Sequence, residues 1–123
     1  MPDSDAQAQD GLLHVIRADE GAHVRLSLSG ELDLSNAPTV EVSLDSAIDS
    51  GKKVLVDLDG LEFIDSTGLA LIVRLLGRND AERFSFVPSR SAAVRRVLNL
   101  TGLDERMVIA TTTTEQLAAI PPA

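Results

Sequence analysis

The chain has 123 residues and 44% of them are hydrophobic, which is enough for one domain with a single core. Its formal net charge is −8 and aromatic residues make up 2%, so the basic surface and stacking platforms of a nucleic-acid binder are missing. The absence of cysteine excludes thiolate metal sites, and two histidines, His14 and His23, are too few for a typical histidine site. We therefore expect no nucleic acid partner and no metal, and nothing in the sequence demands a cofactor.

Features that would direct the chain to a membrane are weak. The first residues are acidic rather than basic, which predicts no secretory signal. The longest apolar stretch, residues 69–76, is interrupted by Arg74 and is too short to span a bilayer. We therefore expect a soluble, cytoplasmic protein with no membrane partner.

Charge is distributed unevenly along the chain. Residues 1–62 carry a net charge of −9, whereas residues 63–123 carry +1. An acidic first half either keeps the protein soluble or forms a docking face for a basic partner. The sequence leaves both interpretations open.

The first part of the chain predicts a tail followed by a hairpin. Residues 1–10 are polar and rich in Asp, Gln and Ala, which predicts a disordered acidic tail. Apolar and polar residues alternate over residues 12–17 and again over residues 24–29, which predicts two strands. The Asp-Glu-Gly sequence at 19–21 is typical of a turn between them.

Helices and strands then alternate. A helix is predicted from Ser35 or Asn36 to a glycine cap at Gly51, and an apolar strand follows at residues 54–56. The next helix is predicted over residues 66–77. The residues predicted to form its apolar face are Leu69, Ile72, Val73 and Leu76.

The last third predicts two further strand–helix units. A strand at residues 84–87 precedes a helix that Ser89 caps, and a strand at 107–109 precedes a helix with a capping box at residues 112–115. The order is ββαβαβαβα, and strands separated by helices pair in parallel through right-handed crossovers. We therefore expect one α/β domain over residues 11–120, with a mixed, mostly parallel five-stranded sheet and about four helices.

Two loops contain the candidate functional residues. One comprises residues 30–36, after the second predicted strand, and the other comprises residues 63–69, between the third strand and the second helix. A right-handed crossover points the carboxyl ends of these two parallel strands in the same direction. We therefore expect both loops at one edge of the sheet, where ligands bind in such folds.

The Asp65-Ser66-Thr67-Gly68 segment has two interpretations. Asp and Ser are good helix caps, and Gly68 would let the first turn approach neighbouring backbone. Alternatively, an exposed Ser66 hydroxyl at the positive end of a helix could carry a phosphate, which would meet free backbone N–H groups there. Both interpretations place the segment at a helix start.

Three segments together resemble the STAS family, and more narrowly the bacterial anti-sigma factor antagonists. The segments are Gly-Glu-Leu-Asp at 30–33, Phe-Ile-Asp-Ser-Thr-Gly-Leu at 63–69, and Val-Leu-Asn-Leu-Thr-Gly-Leu at 97–103. They occur in matching order, and the resemblance extends over residues 12–120. The Asp-Ser-Thr-Gly-Leu element is its most specific part.

The resemblance implies a partner-switching function without enzymatic activity. In that family an anti-sigma factor, itself a serine kinase, phosphorylates the serine after the aspartate, which is Ser66 here. The unphosphorylated form binds the kinase and frees a sigma factor, and a metal-dependent serine phosphatase resets the phosphorylated form. The residues implied to bind the partner lie in the two loops: Gly30, Glu31, Asp33, Ser35, Asn36, Asp65, Ser66, Thr67 and Gly68. Leu71 falls at the border of the polar side of the second predicted helix, so it either contacts the partner or packs against a neighbouring helix.

Other functions fit the sequence less well. A response-regulator receiver domain needs a lysine after its fifth strand, but the only lysines are Lys52 and Lys53, before the third strand. A serine hydrolase needs a histidine beside Ser66, but His14 and His23 belong to the predicted hairpin. The alternative that remains is a STAS scaffold or accessory module of a sensory complex or membrane transporter, without the phosphoserine switch.

Overall fold

The structure is a computed structural model that describes residues 5–110, and it confirms the mixed α/β class with a five-stranded sheet. The strands are β1 (Asp5–Asp10), β2 (Leu13–Glu20), β3 (His23–Leu32), β4 (Lys53–Ile64) and β5 (Phe84–Val87). The helices are α1 (Ala37–Asp49), α2 (Ser66–Leu76), α3 (Ala92–Leu100) and α4 (Leu103–Arg106), and a 3-10 turn occupies Ala81–Arg83.

The strands lie in the sheet in chain order, from β1 to β5. The β1–β2 and β2–β3 pairs are antiparallel, and the β3–β4 and β4–β5 pairs are parallel. α1 connects β3 to β4, and α2 connects β4 to β5, as the predicted crossovers require. The parallel half of the sheet therefore has one carboxyl edge, which we call the carboxyl rim.

The amino-terminal segment differs from its prediction. Residues 5–10 form β1, which pairs with β2 along its whole length, so the predicted disorder is wrong for this part of the tail. Polar composition suggested a tail, but backbone hydrogen bonds to β2 stabilise an edge strand whatever its side chains are. Ala8 also packs against the core, and Gly11 closes the turn to β2 at a φ of +61°. Residues 1–4 lie outside the described part of the chain.

The other edge of the sheet also differs from prediction. The strand predicted at residues 107–109 makes a single parallel bridge, between Ile109 and Phe86. α4 precedes it, starting after Gly102 in a left-handed conformation, where the sequence analysis had no helix. The predicted helix after residue 111 lies outside the described residues.

One hydrophobic cluster joins the sheet to the helices. Side chains of alternate strand residues, such as Val24 and Val56, pack with residues of α1, α2 and α3, while Phe84 and Phe86 fill the β5 side. The residues between them in β4 point to the opposite face. Among these, Asp57 accepts hydrogen bonds from the Arg25 guanidinium at 3.1 and 2.5 Å.

The buried face of α2 is rotated relative to its prediction. Val73 was predicted to be buried but is exposed, and the buried residues of this helix are Gly68, Leu71, Ile72 and Leu75. The helix lies closest to the sheet at Gly68, because a residue without a side chain permits the closest approach. The predicted face was defined by apolar side chains on a helical wheel. Glycine has no side chain, so Gly68 was not assigned to the buried face.

Candidate functional site

The two candidate loops lie side by side at the carboxyl rim, as predicted. Leu32 and Ile64, the last residues of β3 and β4, are register partners in the parallel pair. Immediately beyond them, the Asp65 N–H donates to the Leu32 carbonyl at 3.2 Å. The rim thus brings the residue before Ser66 into contact with the end of the strand that leads to the other loop.

Asp65 connects the two loops through its side chain. One carboxylate oxygen, Oδ1, accepts from the N–H groups of Thr67 and Gly68 at 2.9 and 3.1 Å, which caps α2. The other, Oδ2, accepts from the Leu34 N–H in the neighbouring loop at 3.1 Å. The capping interpretation of Asp65 is therefore confirmed, and the same carboxylate fixes the position of the second loop.

Ser66 is the first residue of α2, and it is exposed. Within the described residues its hydroxyl has no hydrogen-bond partner, so it is accessible to another protein. The N–H groups of Thr67 and Gly68 are occupied by Asp65, and the Leu69 N–H donates to the Asp65 carbonyl at 3.0 Å. The Asp65 carboxylate thus already occupies two of the amides that a phosphate was expected to meet.

Gly68 allows α2 to lie directly against the ends of β3 and β4. A Cβ atom at this position would lie 2.6 Å from Ile64 Cγ1 and 2.9 Å from Leu32 Cγ, much closer than normal contact. Thr67, beside it, is half-buried. The glycine therefore sets how deeply the serine-bearing helix sits in the rim.

Gly30 has a comparable backbone role in the other loop. Its φ is +90°, and a Cβ atom would lie 1.9 Å from the carbonyl oxygen of Leu12. This close approach lets the Glu31 N–H donate to the same carbonyl at 3.1 Å. The β3–β4 register shifts here as well, between Gly30 and Glu31. Gly30 therefore directs the chain into the loop.

Asn36 holds the loop together from inside. It is buried, its Oδ1 accepts from the Asp33 N–H at 2.9 Å, and its Nδ2 donates to the Glu31 carbonyl at 2.9 Å. Although it occupies the residue before α1, its side chain does not cap that helix. Asn36 was predicted as a partner-binding residue, but burial limits it to supporting the loop.

Asp33 and Ser35 form a tight turn at the loop surface. Asp33 Oδ1 accepts from the Ser35 N–H at 3.0 Å and from the Ser35 hydroxyl at 2.6 Å. Such turns are typical of aspartate in loops. Ser35 is exposed and Asp33 is half-buried, so both remain accessible to a partner.

Leu71 lies in the core rather than on a binding face. It is buried in the hydrophobic cluster, and it lines a small cavity of about 70 Å³ between α1 and α2, beside Leu44 and Leu75. The prediction that it contacts a partner does not agree with this position. The same rotation of α2 that exposes Val73 turns Leu71 inward.

The sequence analysis missed three exposed apolar residues at the rim: Leu12, Leu34 and Phe63. Leu34 had a detectable signal, because it lies in a polar loop where no helical or strand period requires a leucine. Leu12 had none, because it belongs to the first predicted strand. Phe63 lies in the second candidate loop, but its type alone does not show whether it is exposed or buried.

Among residues 5–110, no group of three metal-ligating side chains lies together. In the same part of the chain, no helix has the length and apolar character needed to cross a bilayer. The rim presents the exposed Ser66 hydroxyl among acidic and apolar side chains.

A family model described as "Mlab, STAS domain" matches residues 16–110. The chain belongs to the STAS domain family. The anti-sigma-F factor antagonist RsfB of Mycobacterium tuberculosis is 28% identical over 105 residues, covering 84% of this chain and 85% of that protein. The anti-sigma-B factor antagonist of Staphylococcus aureus is 31% identical over 86 residues, covering 67% of this chain and 78% of that protein.

The fold of this STAS domain also matches a solved structure. The crystal structure of an anti-sigma factor antagonist from Mycobacterium paratuberculosis superposes with a TM-score of 0.71 at 28% identity, covering 98% of this chain and 97% of that one. Relatives and structural neighbours are thus regulatory proteins of one kind.

Proposed function

We propose that this STAS domain is an anti-sigma factor antagonist that acts by partner switching. The unphosphorylated form binds an anti-sigma factor, which is also a serine kinase, and thereby frees a sigma factor. Phosphorylation of Ser66 abolishes the binding, and a metal-dependent serine phosphatase restores it. The chain is the substrate of these enzymes and not itself an enzyme, and it meets them in the cytoplasm.

The accessible Ser66 hydroxyl, without a hydrogen-bond partner in the described residues, is the observation that supports this proposal most. It stands at the first position of a helix that Asp65 already caps, so a kinase can approach it without unfolding α2. The names of the similar proteins support the same class of partner.

Release follows from the position of Ser66 beside Asp65. A phosphoserine adds about −1.5 to −2 charge at pH 7. Because Asp65 holds the amides of Thr67 and Gly68, these donors do not neutralise that charge, which would enter the partner contact largely unpaired. Burying an unpaired charge is costly, so the complex dissociates while the domain stays folded.

The test uses three variants of the chain. Each variant is mixed with the purified anti-sigma kinases of the source organism, one kinase at a time, and binding is measured. We expect Ser66→Ala to bind one kinase and to accept no phosphate from ATP. Ser66→Asp should bind weakly while its circular dichroism matches that of the unaltered chain. Ser46→Ala, which removes an exposed serine on α1, is the control and should be phosphorylated normally.

Two results would contradict the proposal. Phosphate incorporation into Ser66→Ala would move the modification to another residue. Failure of every kinase to bind Ser66→Ala would contradict partner switching and favour the STAS scaffold alternative.

A further inference from the structure

Three apolar side chains are exposed together at the carboxyl rim. Leu12 is 68% exposed, Leu34 is 71% exposed and Phe63 is 46% exposed. Leu12 and Phe63 lie on either side of Glu31, and Leu34 follows Asp33 in the loop. We call these five residues the rim patch.

Backbone contacts bring the members of the rim patch together. The Glu31 N–H donates to the Leu12 carbonyl at 3.1 Å on one side, and Glu31 is the register partner of Phe63 on the other. Leu34 is placed by the bond from its N–H to Asp65 Oδ2 at 3.1 Å. The turn before β2, the end of β3 with the loop after it, and the end of β4 thus contribute the patch, and Leu34 is bonded to the residue before Ser66.

The charges at the rim point to the chemistry of the partner. Glu31, Asp33, Glu62 and Asp65 all lie at this edge, and none of them has an ion-pair partner within residues 5–110. Elsewhere on the domain, acids such as Asp57, Asp59 and Asp80 are paired with arginines. The rim is therefore an apolar centre with an unneutralised acidic border.

Protein interfaces with this arrangement have an apolar core that supplies most of the affinity and a charged border that selects the partner. We propose that the rim patch is the energetic centre of the surface that binds the anti-sigma factor. It fits an apolar patch on that protein bordered by lysine and arginine side chains. This inference rests on the proposed function, and it adds Leu12, Leu34 and Phe63 to the binding surface.

The position of Ser66 gives the rim patch a role in the switch. A phosphate on Ser66 would stand at the border of an apolar contact, where desolvation of a charge costs most. Binding through the patch and release by phosphorylation then depend on the same small area.

The first experiment truncates the apolar residues and compares them with equally exposed residues elsewhere. Leu34→Ala is matched with Leu100→Ala, since Leu100 on α3 is 72% exposed, and Leu12→Ala is matched with Val42→Ala, since Val42 on α1 is 69% exposed. The probe is the anti-sigma kinase that binds the Ser66→Ala chain, measured by calorimetry. We expect each rim variant to weaken binding about tenfold or more and each control to change it less than about twofold.

Phe63 is only half-exposed, so Phe63→Ala tests the patch only if its melting temperature stays near that of the unaltered chain. Phe63→Leu, which keeps an apolar side chain, provides a second variant and should restore most of the affinity.

A second experiment tests the acidic border of the patch. Glu31→Lys should weaken binding at low salt, whereas Asp49→Lys, at the distant end of α1, should not.

The outcomes separate this inference from the proposed function. If no anti-sigma kinase binds the Ser66→Ala chain, the proposed function fails and the inference fails with it. If the kinase binds but the rim variants match their controls, only the inference is wrong. It is also wrong if the rim variants change sedimentation of the chain alone while kinase affinity is unaltered, because the patch would then join two copies.

Discussion

Asp65 performs two tasks with the two oxygens of one carboxylate. Oδ1 caps α2, and Oδ2 holds the loop that contains Leu34. The carboxylate therefore links the serine-bearing helix to the neighbouring loop. If this edge binds the proposed partner, a loop held in place beforehand would lower the entropic cost of binding.

Asp65→Asn tests that coupling with almost no change in shape. Asparagine is a good helix cap, but its Nδ2 cannot accept a hydrogen bond from the Leu34 N–H. We expect binding of the anti-sigma kinase to weaken about 3- to 10-fold, corresponding to one lost hydrogen bond. Amide hydrogen exchange should accelerate at Leu34 and remain slow at Thr67. Unchanged exchange at Leu34 would show that the loop holds itself in place without Asp65.

At the residue scale, the sequence predicts those roles that depend on local geometry. Asp65 and Ser66 were identified because a cap and an exposed first-turn hydroxyl follow from residue type and position in a helix. The sequence did not decide whether Asn36 and Leu71 are buried, because their burial depends on packing between segments distant in the chain. The rim exposure of Leu34 also depends on its bond to Asp65, 31 positions away.

At the element scale, α2 is positioned by its contact with the strand ends. Gly68 brings the first turn close to Leu32 and Ile64, so the orientation of Ser66 depends on a position with no side chain. The rotation of the helix away from its predicted face follows from this contact. Hydrophobic periodicity indicates that a helix is amphipathic, but it does not show where the helix approaches a sheet most closely.

Gly68→Ala should destabilise the domain although alanine favours helices. The new methyl group would overlap Ile64 Cγ1 and Leu32 Cγ, which are not free side-chain ends. We expect the free energy of unfolding to fall by about 1–2 kcal/mol, because overpacking outweighs the gain in helix propensity. Ser66→Ala is the matched control on the exposed side of the same turn, and urea denaturation should show it to be as stable as the unaltered chain. Equal or greater stability of Gly68→Ala would mean that the rim accommodates a methyl group.

The sheet illustrates which elements the sequence can predict. Strands with strong alternation, β2 and β3, were predicted at nearly their observed positions. β1 has little apolar content, and its pairing depends on backbone hydrogen bonds to β2 that composition does not encode. Similarly, β4 extends to Ile64, well beyond the predicted apolar run, because pairing with β3 continues past a shift in register.

At the scale of the whole molecule, net charge does not explain release of the partner. The chain carries −8, and one phosphate adds about −1.5 to −2 at pH 7. A more negative domain would attract a basic partner more strongly at long range. We therefore expect a phosphate on Ser66 to act locally, through its fit and desolvation beside Asp65.

The most direct test of the account is the affinity of the anti-sigma kinase for the chain fully phosphorylated on Ser66, measured against the unphosphorylated chain at low and at high salt. A local cost of ~2–4 kcal/mol corresponds to binding that is ~30- to 1,000-fold weaker, and we expect that ratio to persist at both salt concentrations. Near-equal affinity of the two forms would contradict the switch. Recovery of near-full affinity at high salt would instead assign release to long-range electrostatics.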